Sequence, residues 1–498
     1  MNAFAALGQK MRAWKPVLAL VGLAGLISFQ AYAFYFHIPL SVGPRVVLEP
    51  WLMRQGYLLY DEVVDIHTPL MPLVLALLEP IAGEELRAAK WIIVALLTVT
   101  VLLSFYWGQR KMGWWSGLWA AAFIVIWAPA FFFGKLWHEI FLTPIYLLFL
   151  FFFQPSSERH SLRWSVLLGL LGGISVMIKQ HAAVFFAAYL AWELGWGIAR
   201  RRPLARVLRE LTTAGVVSLL PLAGYMAYQW TQAGSVYDFF YWIVGYHTQG
   251  VYKELAEQAL TLPQAAALIS CALLLPAAVT FILHLRKKDS QEWHHPALWL
   301  VLMIAASFTA YPRFEFFHLQ PALPFLALLS TFALAQAARF EGPAKAFTAS
   351  MAVAVSLFWL VAQGNSYVEA FNPQQVRVIY EYSNLPPLAA EIQKETGNSR
   401  SFYIYGDDEA VSNLYYFLNA APPRFWVFHY SWYTLDWMQQ RMITELTASP
   451  PEWVIYFPGR WQIEQNMPLV LEYIEKHYRA VKTIYWENSE VQVLKRVK

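Results

Sequence analysis

Charge is what this sequence has least of. Asp, Glu, Lys and Arg make up 14% of its 498 residues, against roughly 25% in ordinary soluble proteins. The net charge of +4 is small, and the basic residues are scattered between apolar stretches. Without a basic face, nucleic acid is excluded as an expected partner. The single cysteine, Cys271, lies inside an apolar run, so no intramolecular disulfide can form. Neither a G-x-x-x-x-G-K-[ST] loop nor a dinucleotide fingerprint occurs, which argues against direct use of a nucleotide. No repeat of fixed period is visible, and the halves do not resemble inverted repeats, which weakens a transport reading. His294-His295 lacks a paired ligand cluster and is not read as a metal site; no cofactor is expected, with a divalent metal the disfavoured alternative. Gly406-Asp407-Asp408-Glu409 reads as a strand end and helix cap rather than an acidic metal site.

Apolar residues are abundant instead, at 58% hydrophobic and 17% aromatic. They gather into runs at 17–36, 91–107, 114–133, 140–153, 164–178, 182–198, 211–230, 265–285, 297–310, 319–338 and 346–362. A hydrocarbon core takes roughly 17–25 residues of helix, so these runs predict about eleven transmembrane helices. Lys10, Arg12 and Lys15 precede the first run. Ala31-Tyr32-Ala33 is a passable signal-peptidase pattern, but the run is long enough to span, and a retained anchor with a cytoplasmic N-terminus is expected. One further stretch, Leu70 to Leu78, is bounded by Pro69 and Pro80 and interrupted by Pro72. It predicts a short re-entrant or interfacial helix.

With that helix left out of the count, Lys and Arg sort by side, as cytoplasmic loops require. The inner set is Lys10, Arg12, Lys15, Arg110, Lys111, Arg159, Arg163, Arg200, Arg201, Arg202, Arg206, Arg209, Arg286, Lys287, Lys288, Arg339 and Lys345. The outer loops hold fewer, namely Arg45, Arg54, Arg87, Lys90, Lys135, Lys179, Lys253 and Arg313. An odd number of spans places the tail outside. There the pattern turns to strands at 401–405, 453–457, 481–486 and 491–494, interleaved with helices near 408–418, 432–447 and 467–478. The expected organisation is an all-α polytopic membrane domain, 1–363, and a small extracytoplasmic α/β domain, 364–498.

Polar chemistry concentrates in the outer loops, and ionisable groups near membrane depth usually have a task. The loop 37–90 is richest, with Glu49 and then Gly56 to Pro69 as GYLLYDEVVDIHTP, which crowds Tyr60, Asp61, Glu62, Asp65 and His67 together. Elsewhere lie Lys135-Leu136-Trp137-His138-Glu139, Lys179-Gln180-His181 and Tyr311-Pro312-Arg313 to His318.

This loop resembles that of the GT-C class of polytopic glycosyltransferases, particularly the lipid-phosphosugar-dependent enzymes related to protein mannosyltransferases and lipid A aminoarabinose transferases. Their Tyr-x-Asp-x-x-Asp-x-x-x-Pro-Leu pattern is met by Tyr60, Glu62, Asp65, Pro69 and Leu70, with Glu62 in place of the first Asp. The stretch 70–78 corresponds to their juxtamembrane helix, and Ile404-Tyr405-Gly406 with Tyr416-Phe417-Leu418 is similar to their outer domain. One departure stands out: where many members carry Asp-Glu near the start of the loop, this chain has Ser41-Val42.

The resemblance implies a glycosyltransferase in a bacterial plasma membrane, moving a hexose or pentose with inversion from a polyprenyl phosphate to a lipid, glycan or protein outside. A carboxylate would take the acceptor's proton, with Asp65 and Glu139 leading and Asp61 and Glu49 behind them. Lys179, Arg313, Arg45 and Lys135 are the cations available to the phosphate, and Tyr60, Glu62, His67 and His318 the further substrate contacts. Neutralising Lys179 or Arg313 is then expected to cost roughly tenfold to a hundredfold in donor affinity with the fold intact. A transporter or lipid-handling protein without transferase activity is the alternative.

Overall fold

The computed structural model describes residues 2–41, 43, 46–82, 85–153, 162–249, 294–310, 315–337, 367–368, 371, 384–406, 411–426, 435–487 and 489–497. Backbone polar groups in hydrocarbon must be satisfied within their own segment, and the apolar runs accordingly become helices. In chain order the principal ones are α1 (Asn2–Tyr32), α2 (Leu48–Arg54), α3 (Leu70–Ala82), α4 (Glu85–Met112), α5 (Trp114–Trp127), α6 (His138–Leu148), α7 (Leu162–Ile178) and α8 (Ala182–Ala199). They continue with α9 (Leu204–Ser218), α10 (Leu220–Ala233), α11 (His294–Ser307), α12 (Leu323–Ala337), α13 (Leu385–Thr396), α14 (Asp436–Ala448) and α15 (Pro468–His477).

Among the described residues, five helical stretches are long and apolar enough to cross a membrane: Trp14–His37, Ala88–Met112, Ala182–Ala199, Leu204–Ala233 and Phe316–Ala335. Four shorter apolar helices, Trp114–Trp127, His138–Phe151, Leu162–Ile178 and His294–Ala310, occupy further expected runs. The runs 265–285 and 346–362 lie outside the described residues. The stretch singled out by its prolines is a separate helix, α3, of 13 residues. At 1.5 Å per residue it reaches about 20 Å, short of a hydrocarbon core of about 30 Å.

The chain divides into two compact units. The first comprises 1–39, 90–222 and 255–377, the second 40–89, 223–254 and 378–498. In the first, small residues let helices approach closely: a Cβ on Gly169 of α7 would stand 2.4 Å from the Ala214 carbonyl of α9, and one on Gly173 2.4 Å from the Ser218 carbonyl. Large apolar side chains nonetheless face outward, such as Val21 on α1 and Val216 on α9, 64% and 59% exposed. Soluble proteins rarely present contiguous apolar faces of this kind.

In the second unit, β1 (Phe402–Tyr405), β2 (Trp453–Tyr456), β3 (Tyr478–Trp486) and β4 (Ser489–Arg496) form a sheet of order β1-β2-β4-β3. β1 and β2 are parallel, and the other pairs antiparallel. The four expected strands are all present. The expected helices at 432–447 and 467–478 are α14 and α15, and that near 408–418 is two short helical turns, 411–413 and 414–417. The acidic run 407–409 lies outside the described residues. α13 was not expected, and it packs against the sheet side with Leu385, Leu388, Ala389 and Ile392 buried.

Candidate active site

In the first unit three predicted residues from distant parts of the chain converge. Glu139 sits in the first turn of α6. Lys179 continues the last turn of α7, its N–H bonded to the Ser175 carbonyl at 3.1 Å. His318 lies in the 3-10 turn Phe316–Ala322 that leads into α12. Glu139 Oε1 receives the Lys179 ammonium and also contacts His318 Nδ1, while Lys179 Nζ stands 3.3 Å from the same ring nitrogen. All three are buried, with Glu139 at 0%, Lys179 at 2% and His318 at 9% exposure. A single nitrogen either donates to the carboxylate or accepts from the ammonium, so the histidine's tautomer decides which contact is a hydrogen bond. Lys179 is thus a cation already balanced by an acid.

The surroundings hold this cluster still. Thr143 caps the Glu139 carbonyl at 2.8 Å. Gln320 donates to the carbonyls of Phe131 and Phe132 at 2.9 and 3.0 Å, pinning the turn that carries His318. Lys135 lies over the rings of Phe317 and Trp137, 4.0 and 4.8 Å from their centroids, a cation–π arrangement. Gly134 before it passes so close to the Pro39 carbonyl that a Cβ would stand 2.6 Å away.

The second unit holds the remaining described candidates. Glu49 is buried in the first turn of α2. Asp65 is fully buried, and its Oδ1 accepts the His67 backbone N–H at 3.1 Å and lies 3.1 Å from His67 Nδ1. Tyr60 has φ +76°, a region costly for a residue with a bulky side chain. Its hydroxyl donates to the His67 carbonyl at 2.6 Å, its N–H to Val63 at 2.7 Å, and Trp242 Nε1 donates to its carbonyl at 3.1 Å. Strain of this kind persists only where surrounding bonds over-determine it.

The tail grips this loop. Val64 N–H donates to the Trp426 carbonyl at 3.0 Å, and Trp426 N–H to the Glu62 carbonyl at 2.6 Å. Arg424 pairs with Glu62 and lies 4.2 Å from the Tyr57 ring centroid, while Arg441 holds Asp61 at 3.0 Å. Asp61 and Glu62 are therefore ion-paired rather than solvated. Burial pushes the Asp238 carboxyl up; Arg441 opposes this and Asp61 adds to it. Burial likewise lowers His247, whose Nε2 lies 3.2 Å from the Ile66 carbonyl, although that contact and Asp65 work the other way.

Arg45 and Arg313, both expected at the donor phosphate, lie outside the described residues. Sequence reasoning did not single out Lys90, whose buried ammonium donates to the Tyr35 carbonyl at 2.8 Å. Its signal was its place at the outer end of an apolar run. Arg424 and Arg441 carried no local signal, since their partners are 362 and 380 residues away.

No protein-family model and no curated protein matches the sequence. Solved structures do. ArnT from Cupriavidus metallidurans superposes with a TM-score of 0.58 in the apo state, over 98% of both chains at 13% identity. Its structure bound to undecaprenyl phosphate gives 0.57 over 97% of this chain and 98% of that one, at 13% identity. The oligosaccharyltransferase AglB from Archaeoglobus fulgidus, in complex with an inhibitory peptide and a dolichol-phosphate, gives 0.52 at 11% identity, over 96% of this chain and 74% of that one. The fold is that of the GT-C glycosyltransferases along nearly the whole chain.

Proposed function

We propose that this protein is an inverting membrane glycosyltransferase that moves a sugar from a polyprenyl phosphate to a lipid, glycan or protein acceptor. The observation that carries the reading is the end-to-end likeness of fold to a protein whose structure holds undecaprenyl phosphate. Residues 1–363 are the membrane domain, with the N-terminus cytoplasmic, and 364–498 the extracytoplasmic domain.

In the proposed reaction the acceptor's oxygen forms a bond to the anomeric carbon from the face opposite the phosphate. The anomeric C–O bond breaks, and the polyprenyl phosphate leaves with the electron pair. The acceptor's proton goes to a carboxylate, and because attack comes from the face opposite the leaving group the anomeric configuration is inverted. Asp65 is the preferred base, because His67 fixes its Oδ1 from both backbone and ring. Glu139 is the second carboxylate; its engagement with Lys179 and His318 supports a role in setting the local charge. Lys135 and Lys90 join Arg45 and Arg313 as cations for the departing phosphate, since among the described residues neither lysine is paired to an acid. No metal is assigned a part.

The test is release of polyprenyl phosphate from a sugar-loaded donor by the full chain in detergent. Wild type is expected to release it, and Asp65→Asn to lose about a hundredfold or more in rate while still binding donor. A protein that binds the lipid and never cleaves it with any acceptor would overturn the reading in favour of a lipid-handling role.

A further inference from the structure

The two histidines that yielded no metal ligand set occupy a different kind of site. His294 and His295 open α11, and each reaches a cation from another helix. Arg200, just after α8, lies with its Nη2 3.1 Å from His294 Nε2; Lys111, in the last turn of α4, has its Nζ 2.7 Å from His295 Nε2. Arg110 stands beside Lys111 and bonds the Tyr106 hydroxyl. Because consecutive residues of one helix bind both, the ends of α4 and α8 meet at one end of this unit.

Beneath these groups is an aromatic floor. Phe153 is buried and lies 6.1 Å from the Trp196 ring and 5.2 Å from His295. Trp196 lies 3.8 Å from His294, and Arg200 sits 4.7 Å over Trp196. Arg110, Lys111 and Arg200 are exposed, and among the described residues none is ion-paired with a carboxylate. Lys179 and Arg202, by contrast, are paired with Glu139 and Glu210. Near in sequence to Arg200 and Lys111, the apolar side chains Ile198, Trp115 and Leu204 are 57%, 50% and 53% exposed.

We infer that this cluster is a binding site for the phosphate headgroup of an anionic membrane lipid. Three neighbouring cations at one end of the unit favour an anion, and the aromatic floor with exposed apolar side chains nearby favours one that brings its own hydrocarbon. The guanidinium of Arg200 and the ammonium of Lys111 supply charge-assisted bonds to phosphate oxygens, while Trp196 and Phe153 pack against the glycerol and first methylenes. The site is separate from the cluster of Glu139, Lys179 and His318. Glu139 begins α6 and Phe153 lies just beyond the helical stretch that continues it, which separates the two by roughly 20 Å along the axis.

The experiment uses the full chain in nanodiscs of phosphatidylcholine, titrated with phosphatidylglycerol and read by native mass spectrometry as bound anionic lipid. Each cation near a lipid surface is worth roughly fivefold in affinity, so Lys111→Gln with Arg200→Gln is expected to lose about thirtyfold. Lys476→Gln, an exposed cation on α15 in the second unit, is expected to behave as wild type, and Lys111→Arg with Arg200→Lys to retain binding. Raising salt from low to high is expected to weaken wild-type binding more steeply than that of the double Gln variant, which keeps only Arg110 and so has the shallower salt slope. Equal phosphatidylglycerol affinity in the double variant and wild type would overturn the inference. So would displacement of the lipid by inorganic phosphate at equal concentration, which would mark a site for free phosphate, or equal competition by phosphatidylcholine.

Discussion

Replacing Lys179 with Gln separates two roles that look alike in a sequence. If this lysine served chiefly as an exposed cation for the donor, the variant would fold normally and bind donor roughly tenfold to a hundredfold less well. Its position predicts something else. Lys179 is 2% exposed, and its ammonium is bonded to the carboxylate of Glu139, a residue 0% exposed. Removing one member of a buried pair leaves the other charge uncompensated, which typically costs about 3–5 kcal/mol. Removing both need cost little, since two neutral amides can bond each other and the desolvation of two ions is avoided. The expected order of stability is therefore wild type close to Glu139→Gln with Lys179→Gln together, and both well above either single variant. The assay is equilibrium unfolding in mixed detergent followed by near-ultraviolet dichroism, with the four proteins arranged as a double-mutant cycle. A coupling below about 1 kcal/mol would refute the reasoning, because that is the range of solvent-exposed pairs.

Gly173→Ala is expected to destabilise by at least about 1–3 kcal/mol in the same assay, because its Cβ would meet the Ser218 carbonyl at 2.4 Å and the Pro221 ring at 2.9 Å. Gly195→Ala on α8, with nothing within 4 Å of its Cβ, should instead be neutral or stabilising by up to about 1 kcal/mol. Asp238 has a folded pKa above its ordinary 3.8, so between those two values the native state holds a proton that the unfolded chain has lost. Stability from this group falls as pH rises from about 3.8 through the folded pKa. Asp238→Asn should remove that slope, and it should stabilise the protein at neutral pH in a pH series of melting curves. Arg424→Gln breaks a pair whose side chains are 48% and 22% exposed, and its effect should stay near 1 kcal/mol or less.

The sequence carried the periodic parts of this fold. Apolar runs of span length became helices because hydrocarbon leaves no other partner for the backbone, and the tail's four strands were legible from their alternation. α13 was missed although its signals were present: Leu385-Pro386-Pro387 opens it with prolines in the first turn, and Gly397, at φ +64°, closes it. Within the candidate site, single residues were legible and their pairings were not. Glu139 and Lys179 were chosen from separate loops for separate tasks, and nothing local reveals that one neutralises the other across 40 residues. The same holds for Asp61 and Glu62, whose arginines lie beyond residue 420.

The grip of the tail on the first loop also sets an order of events during synthesis. Tyr57 donates to the Pro422 carbonyl at 2.5 Å across 365 residues. At about 5–20 residues per second, the loop waits roughly 20–70 s for its partner strand to emerge. Until then Val63 and Val64, 0% and 2% exposed in the finished protein, lack the cover of Trp426, and the acids at 61 and 62 lack their arginines. A ribosome that stops early releases a chain whose spans are in place and whose Asp65 loop is unclosed, so the proposed chemistry belongs only to chains synthesised past Arg441.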